Sequence, residues 1–194
     1  MEKLKKLDEI TEPDERQKAF AVVNQISGEC RSLTLKDLHE NAVSIKLHDG
    51  VPEVIRNHFA TAQNLLLYSW FFYPFNVTAD FLALVTVEFA LKERLKPIIR
   101  KSFKELVKQA VSDGLVKDEG FSHFRRYSEF DDDMEEDMGM MSQQVKNYGD
   151  ILVDVMPYLR NELAHGSGML YPSGASLIRR CAEFINQLFS EKSS

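Results

Sequence analysis

Three polar side chains lie close together near the C-terminal end of a predicted helix: Arg160, Asn161 and His165. An arginine can hold a phosphate or a carboxylate by two parallel hydrogen bonds, and a histidine can move protons near neutral pH. Metal-independent cleavage of RNA needs both abilities, because one base takes the 2′-hydroxyl proton while fixed positive charge stabilises the phosphorane. An ordinary helix end looks the same, since the helix macrodipole favours a C-terminal histidine and Gly166 suits a left-handed cap.

The order of these residues resembles a known signature. An arginine, a polar residue, three further positions and a histidine are similar to the R-x4-6-H motif of HEPN domains. Residues 62–71 and 81–95 also resemble the first two helices of HEPN-like bacterial proteins, and the likeness covers about residues 51–190. The resemblance implies a bundle of four to five helices that is usually dimeric. Many HEPN proteins are metal-independent RNases of toxin–antitoxin and phage-defence systems, and others keep the fold without doing chemistry.

The spacing limits how the motif can work. Five residues rotate an ideal helix by about 140° beyond a full turn, so Arg160 and His165 do not share a face, whereas Asn161 and His165 do. Arg160 and His165 can contact the same phosphate if the helix loosens at His165, or if two subunits each contribute to one site. The resemblance implies the second arrangement, with His165 as the proton carrier, Arg160 on the phosphate, and Asn161 orienting His165 or the phosphate.

Composition narrows the function classes. A net charge of −6 and a pI of about 5.4 leave no global basic field, so any RNA site must be local. Cys30 and Cys181 are far apart and predict reduced thiols rather than a zinc site. We expect no metal and no cofactor. The N-terminus lacks the apolar stretch of a signal peptide, and no run reaches about 18 apolar residues, so we expect a cytoplasmic protein without membrane segments.

Apolar spacing predicts an all-α fold. We expect an antiparallel four- to five-helix bundle over residues 51–190, after an N-terminal extension over residues 1–50. The main helices are predicted near residues 52–72, 77–96, 142–165 and 174–189, and a further short helix around 103–107. Pro157 should kink or restart the third helix. The predicted core positions are Ile55, Phe59, Ala62 and Leu66, then Ile151, Leu152, Val155, Leu159 and Leu163, then Leu177, Ile178, Cys181, Phe184, Ile185 and Leu188.

The N-terminal extension is predicted to contain two short helices followed by an extended segment. Pro13 begins a predicted helix that carries Phe20, Val23 and Ile26 on one face and ends at Gly28. A second short helix is predicted over residues 34–41, capped by Thr34 or Ser32. Alternating apolar residues at 43, 45 and 47 then predict an extended segment across the bundle.

Basic residues are concentrated between positions 92 and 108. Lys92, Lys96, Arg100, Lys101 and Lys104 are the candidate RNA contacts in this basic surface, although a charge run is usually a solvated helix face.

Glu88 lies between apolar neighbours and should be shielded from water, so it needs a partner or its pKa must rise. We predict Arg160 as that partner, with Arg94 as the alternative.

Two stretches bear on assembly. Residues 112–141 are predicted as an insertion whose acidic run, seven acids between 129 and 137, forms a mobile loop. The sharper hypothesis is that these acids cover the basic surface or bind a basic partner.

Residues 65–72 are apolar nearly all round, which predicts burial on several sides or a dimer face.

Two functions therefore compete. The first is a metal-independent endoribonuclease of toxin–antitoxin or phage-defence type, with its Arg/His site shared across a homodimer. The alternative is a non-catalytic HEPN-like dimer that binds RNA or protein, in which Arg160 and His165 are structural. An antitoxin or another protein is a possible partner in either case.

Overall fold

Six α-helices account for most of the chain that the structure, a computed structural model, describes: residues 3–24, 26–122, 148–166 and 175–190. The helices are α1 Leu35–Ser44, α2 Glu53–Tyr68, α3 Phe75–Leu95, α4 Phe103–Ser112, α5 Tyr148–Ala164 and α6 Ser176–Leu188. The predicted helical class is thus confirmed, with one short sheet added. Among the described residues, none of the helices has the length and apolar character needed to cross a bilayer.

Helix α3 is the centre of the bundle. It packs against α2, α4, α5 and α6, which is why its sequence is apolar on most faces. The connection from α2 spans only residues 69–74, so α3 runs back along α2. The predicted α2 face is buried at all four positions, and α6 buries every predicted residue except Leu177, which is partly buried.

Helix α5 turns three of its five predicted core positions towards the bundle and leaves the other two exposed. Leu152 and Met156 are buried, and Leu159 and Leu163 pack against the core. Ile151 and Val155 remain 41% and 40% exposed, so their predicted core positions were wrong. Each precedes a buried residue by one position, which rotates it about 100° away from the bundle. Helix α5 also runs through Pro157, so the predicted restart does not occur.

The first part of the extension was predicted wrongly. Instead of one helix, residues 15–19 form a 3₁₀ turn, and strands β1 Ala21–Val23 and β2 Cys30–Ser32 pair antiparallel, with Val22 opposite Arg31. Valines favour strands, and the Asn24 side chain accepts hydrogen bonds from two backbone N–H groups in the turn. Gly28 adopts a φ of +72° there, which marks a hairpin and not a helix end.

The second helix of the extension is confirmed. Thr34 caps α1 in a reciprocal capping box with Asp37. The helix continues to Ser44, so Val43 is helical and exposed, contrary to the predicted alternation. The chain leaves the helix at Ile45, which is buried, and Asn186 of α6 holds the following segment through Lys46 O and His48 N.

The N-terminal arm, residues 3–20, covers the apolar end of α2. Asp14 N donates to Trp70 O at 2.8 Å, and the buried Gln17 amide donates to Ser69 O at 2.9 Å. The Phe20 and Tyr73 rings stack with centroids 5.9 Å apart. This cover accounts for part of the apolar surface at residues 65–72 from which a dimer face was predicted.

The residues that directly follow α4 contribute side chains to the hydrophobic core. Val116 and Phe121 are buried, and a 3₁₀ turn at residues 118–120 contacts α6. The acidic run, the rest of the predicted insertion, residues 142–147 and Gly174 lie outside the described residues. Asp118 ties this stretch to α5, because its carboxylate accepts from Tyr148 N and Gly149 N, both at 2.8 Å. A residue 30 positions earlier thus satisfies free N–H groups at the start of α5.

Asp118→Ala should lower the free energy of unfolding by about 1–2 kcal/mol, the usual cost of losing a helix cap. Urea denaturation would measure it. Glu119→Ala is the matched control, because Glu119 is an exposed neighbour in the same turn. Equal losses in both variants would show that the cap contributes nothing specific.

Candidate functional site

Arg160 is bound to Glu88 across the bundle. Arg160 Nη2, on α5, lies 2.7 Å from Glu88 Oε2, on α3. Only 13% of the Glu88 side chain is exposed, so the carboxylate is shielded as its apolar neighbours predicted. The predicted pairing with Arg160 rather than Arg94 is confirmed.

Lys92 is a second partner that the sequence reasoning did not assign to Glu88. Its Nζ lies 2.6 Å from Glu88 Oε1. The sequence spacing could have predicted this pair, because a glutamate and a lysine four residues apart lie on the same face of a helix, one turn from each other. Lys92 had been considered only as an RNA contact, so Glu88 in fact stands between two cations.

Glu88 is ionised in this setting. Burial alone would raise the pKa of Glu88, but the Lys92 hydrogen bond and the nearby Arg160 charge together hold it below the ordinary value. The upward shift expected for an unpartnered carboxylate therefore does not occur. A fixed negative charge holds the Arg160 guanidinium in position.

A cavity of about 460 Å³ opens beside this cluster. We call it the cationic cavity. Its wall contains five cationic side chains and one carboxylate, together with small polar and apolar residues from α3, α4, α5 and the 96–102 connection. The lining residues are Glu88, Lys92, Arg100, Lys101, Ser102, Phe103, Lys104, Pro157, Arg160 and Asn161. Four of the five predicted RNA contacts thus meet two of the motif residues in one place.

The backbone explains why the connection reaches this wall. Pro97 cannot continue α3, and Lys96 ends that helix in a left-handed conformation with φ of +42°. Residues 97–101 then cross to α4, whose start is fixed by a capping box between Ser102 and Glu105. Arg100 and Lys101 are carried beside α5 as a result.

The cationic side chains of the cavity wall differ in the hydrogen bonds and ion pairs that they already make. Lys101 donates to the neutral Gln109 side chain at 2.6 Å, and Lys104 pairs with Asp154 at 2.8 Å where both side chains are mostly exposed. Arg100 makes no side-chain hydrogen bond or ion pair to any described residue. Exposed ion pairs contribute little, so Lys104 can exchange its partner for another anion at small cost.

His165 and Lys96 do not line the cationic cavity. His165 is exposed in the turn after Ala164, and its backbone N donates to Asn161 O at 2.9 Å. Gly166 has a φ of +74°, the left-handed cap that the sequence suggested. The side-chain oxygen of Asn161 accepts a hydrogen bond from Arg160 Nη1 at 3.0 Å, so Asn161 orients the arginine and not the imidazole.

Within the described residues, three or more histidines, cysteines or acids do not come together as metal ligands. Comparison of the chain with protein-family models, curated proteins and solved structures gave no match. The resemblance to HEPN domains therefore stays a prediction that rests on the residues quoted above.

The Glu88 cluster should make part of the stability depend on pH. Because the pKa of Glu88 is lower in the folded protein than its ordinary value of 4.5, the unfolded chain binds the proton more tightly. Its contribution is therefore fully present above about pH 5 and is lost as the pH falls through the folded pKa. The difference in unfolding free energy between the wild type and Glu88→Gln should shrink in acid.

Urea titrations at several pH values would measure that difference. The matched control is Glu93→Gln, an exposed glutamate on the same helix, for which the difference should stay small throughout. A Glu88→Gln difference that does not change with pH would contradict an ion-paired carboxylate.

Proposed function

We propose that this chain binds RNA through its phosphate groups, with the cationic cavity as the contact. The proposal rests on the convergence of cationic side chains from separate parts of the chain. Five cations from three helices and one connection meet at a single cavity, in a chain whose net charge is −6. Phosphate contacts supply most of the affinity in sequence-independent binding, and a local cluster suffices for them.

The lining favours phosphates over bases. Base recognition in single strands uses aromatic faces on which bases stack. Phe103, the one aromatic side chain among the described lining residues, is buried in the core and leaves little ring surface for a base. The arginine fork and the lysine ammonium groups suit anionic oxygens instead.

Binding is favoured over cleavage by what Arg160 and His165 contact. Arg160 uses one N–H on Nη2 for Glu88 and one on Nη1 for Asn161, which keeps it oriented but leaves further donors for a phosphate. His165 lies outside the cavity wall, and among the described residues no imidazole lines the cavity beside a phosphate held there. The non-catalytic alternative thus becomes the leading hypothesis.

Cleavage remains the second candidate because of one surface. Ile151, Val155 and Tyr158 are 41%, 40% and 62% exposed, and their spacing of four and three residues forms an apolar strip along α5. Continued by one heptad step, the strip reaches His165. A second copy that packs on this strip would bring the two His165 side chains to the edge of one interface, and the nuclease hypothesis requires such a homodimer.

Arg100→Gln should weaken binding of a fluorescent single-stranded RNA and flatten its salt dependence. Each phosphate contact contributes about 0.7 to the slope of log K against log salt for single strands, so the slope should fall by about that amount. Fluorescence anisotropy at several salt concentrations would measure both quantities. Arg94→Gln is the matched control, since it removes the same charge from the same basic surface but not from the cavity wall. Equal effects would indicate a diffuse charged face.

If two copies form a nuclease, the wild type should cleave single-stranded RNA in EDTA and leave 2′,3′-cyclic phosphate ends. His165→Ala should then reduce the rate by about 10²–10⁴-fold without weakening RNA binding. Arg160→Lys keeps the charge but loses the fork, and Val155→Asp should abolish cleavage by opposing the dimer. Wild-type protein that binds RNA and never cuts it would exclude the nuclease and leave the binding function standing.

A further inference from the structure

A lysine of the N-terminal arm carries a charge that no carboxylate in the described residues neutralises. Lys5 Nζ donates to Glu12 O at 2.7 Å and to Phe71 O at 2.9 Å, so it joins the arm to the end of α2. Both acceptors are neutral carbonyls. An ammonium group has three N–H donors, and the third has no acceptor among the described residues.

The same lysine lines a cavity of about 420 Å³ between the arm and the junction of α2 and α3. We call it the arm cavity. Its wall is mostly apolar and aromatic, and includes Ile10, Tyr68, Phe71, Phe72 and Phe75. Small-molecule sites have this composition: an apolar concavity of about 300–1,000 Å³ with a few polar groups that fix orientation. Here Lys5 and its neighbour Lys3 are the cationic groups.

The apolar surface is elongated. Tyr68 and Phe71 also line a second cavity of about 420 Å³, which extends towards Leu35 of α1 and Leu67 of α2. The two cavities thus share a wall and lie side by side along the end of α2. A track of this shape suits a flexible chain better than a compact ring system.

We propose that the arm cavity binds a straight-chain fatty acid, with its carboxylate on Lys5 and its alkyl chain along the aromatic wall. The carboxylate takes the third N–H of Lys5 and neutralises a charge that, among the described residues, is hydrogen-bonded to two backbone carbonyls and to no carboxylate. The chain removes the half-buried rings of Phe71, Phe72 and Phe75 from water. This site is independent of the cationic cavity, which is lined by different residues.

The test varies the ligand first, so that folding of the protein is not disturbed. Octanoate, decanoate and dodecanoate would be titrated below their micelle-forming concentrations by calorimetry. Each added pair of methylenes should tighten the Kd by about fifteen-fold while the cavity has room, at about 0.8 kcal/mol per buried CH₂. The methyl ester of dodecanoate should bind at least about tenfold more weakly, because it loses a hydrogen bond to a charged donor. Dodecylamine should bind more weakly still.

Two lysine variants then locate the carboxylate. Lys5→Met keeps the stem and removes the ammonium, so it should erase the difference between acid and ester. Lys6→Met is the matched control, because Lys6 is mostly exposed, pairs with Glu9 and does not line the cavity. It should behave as the wild type.

Three outcomes would overturn the proposal. The first is equal binding of acid, ester and amine by the wild type, which would mean that the charge of Lys5 plays no part. The second is the absence of chain-length dependence. The third is binding only to micelles or vesicles, which would assign the surface to a lipid interface instead of a single molecule. All three outcomes are measured by comparing ligands on the wild type, so they remain decisive even if Lys5→Met disturbs the packing of the N-terminal arm.

Discussion

The carboxylate of Glu88 is the interaction on which the arrangement of the site depends. It lies on the central helix, largely shielded, and a charge in that position is costly unless cations approach it. Lys92 approaches from the same helix, whereas Arg160 must come from α5. Pairing this shielded charge therefore fixes the distance between α3 and α5 at the level of Arg160. The next turn of α5, with Asn161 and the exposed His165, is placed by the same contact.

The ion pairs also decide how the cationic cavity can respond to a ligand. Glu88 orients Arg160 and Lys92. Lys104 has an exposed partner in Asp154, and Arg100 has none among the described residues. Any anion that enters the cavity can contact the exposed Arg100 directly but must share Arg160 with the carboxylate of Glu88. Some of the basic residues have a simpler role, because cations near the C-terminal end of α3 are favoured by its macrodipole. That argument does not extend to Arg100 and Lys101, which lie beyond the helix.

Local chemistry predicted most of the helices and one long-range contact. The Glu88–Arg160 pair could be predicted because a charge among apolar neighbours demands a partner, and few were available. The hairpin at residues 21–32 could not, because Phe20, Val23 and Ile26 fit a helical spacing as well as they fit strands and a turn. The exposed positions of Ile151 and Val155 follow from which face of α5 meets α3 and α4. Two apolar stripes one residue apart look equivalent in sequence, and only packing chooses between them.

The two candidate sites lie towards opposite ends of α3. The arm cavity includes Phe75, where the helix begins, and the cationic cavity includes Glu88 and Lys92, near its end. At 1.5 Å per residue, Phe75 and Glu88 are about 20 Å apart along the axis, which is twice the distance over which salt screens a charge. Neutralising Lys5 therefore has little direct electrostatic effect at the cationic cavity. Any coupling must pass through the packing of α3 against α2, and a variant that weakens both sites at once has disturbed that packing and not either ligand contact.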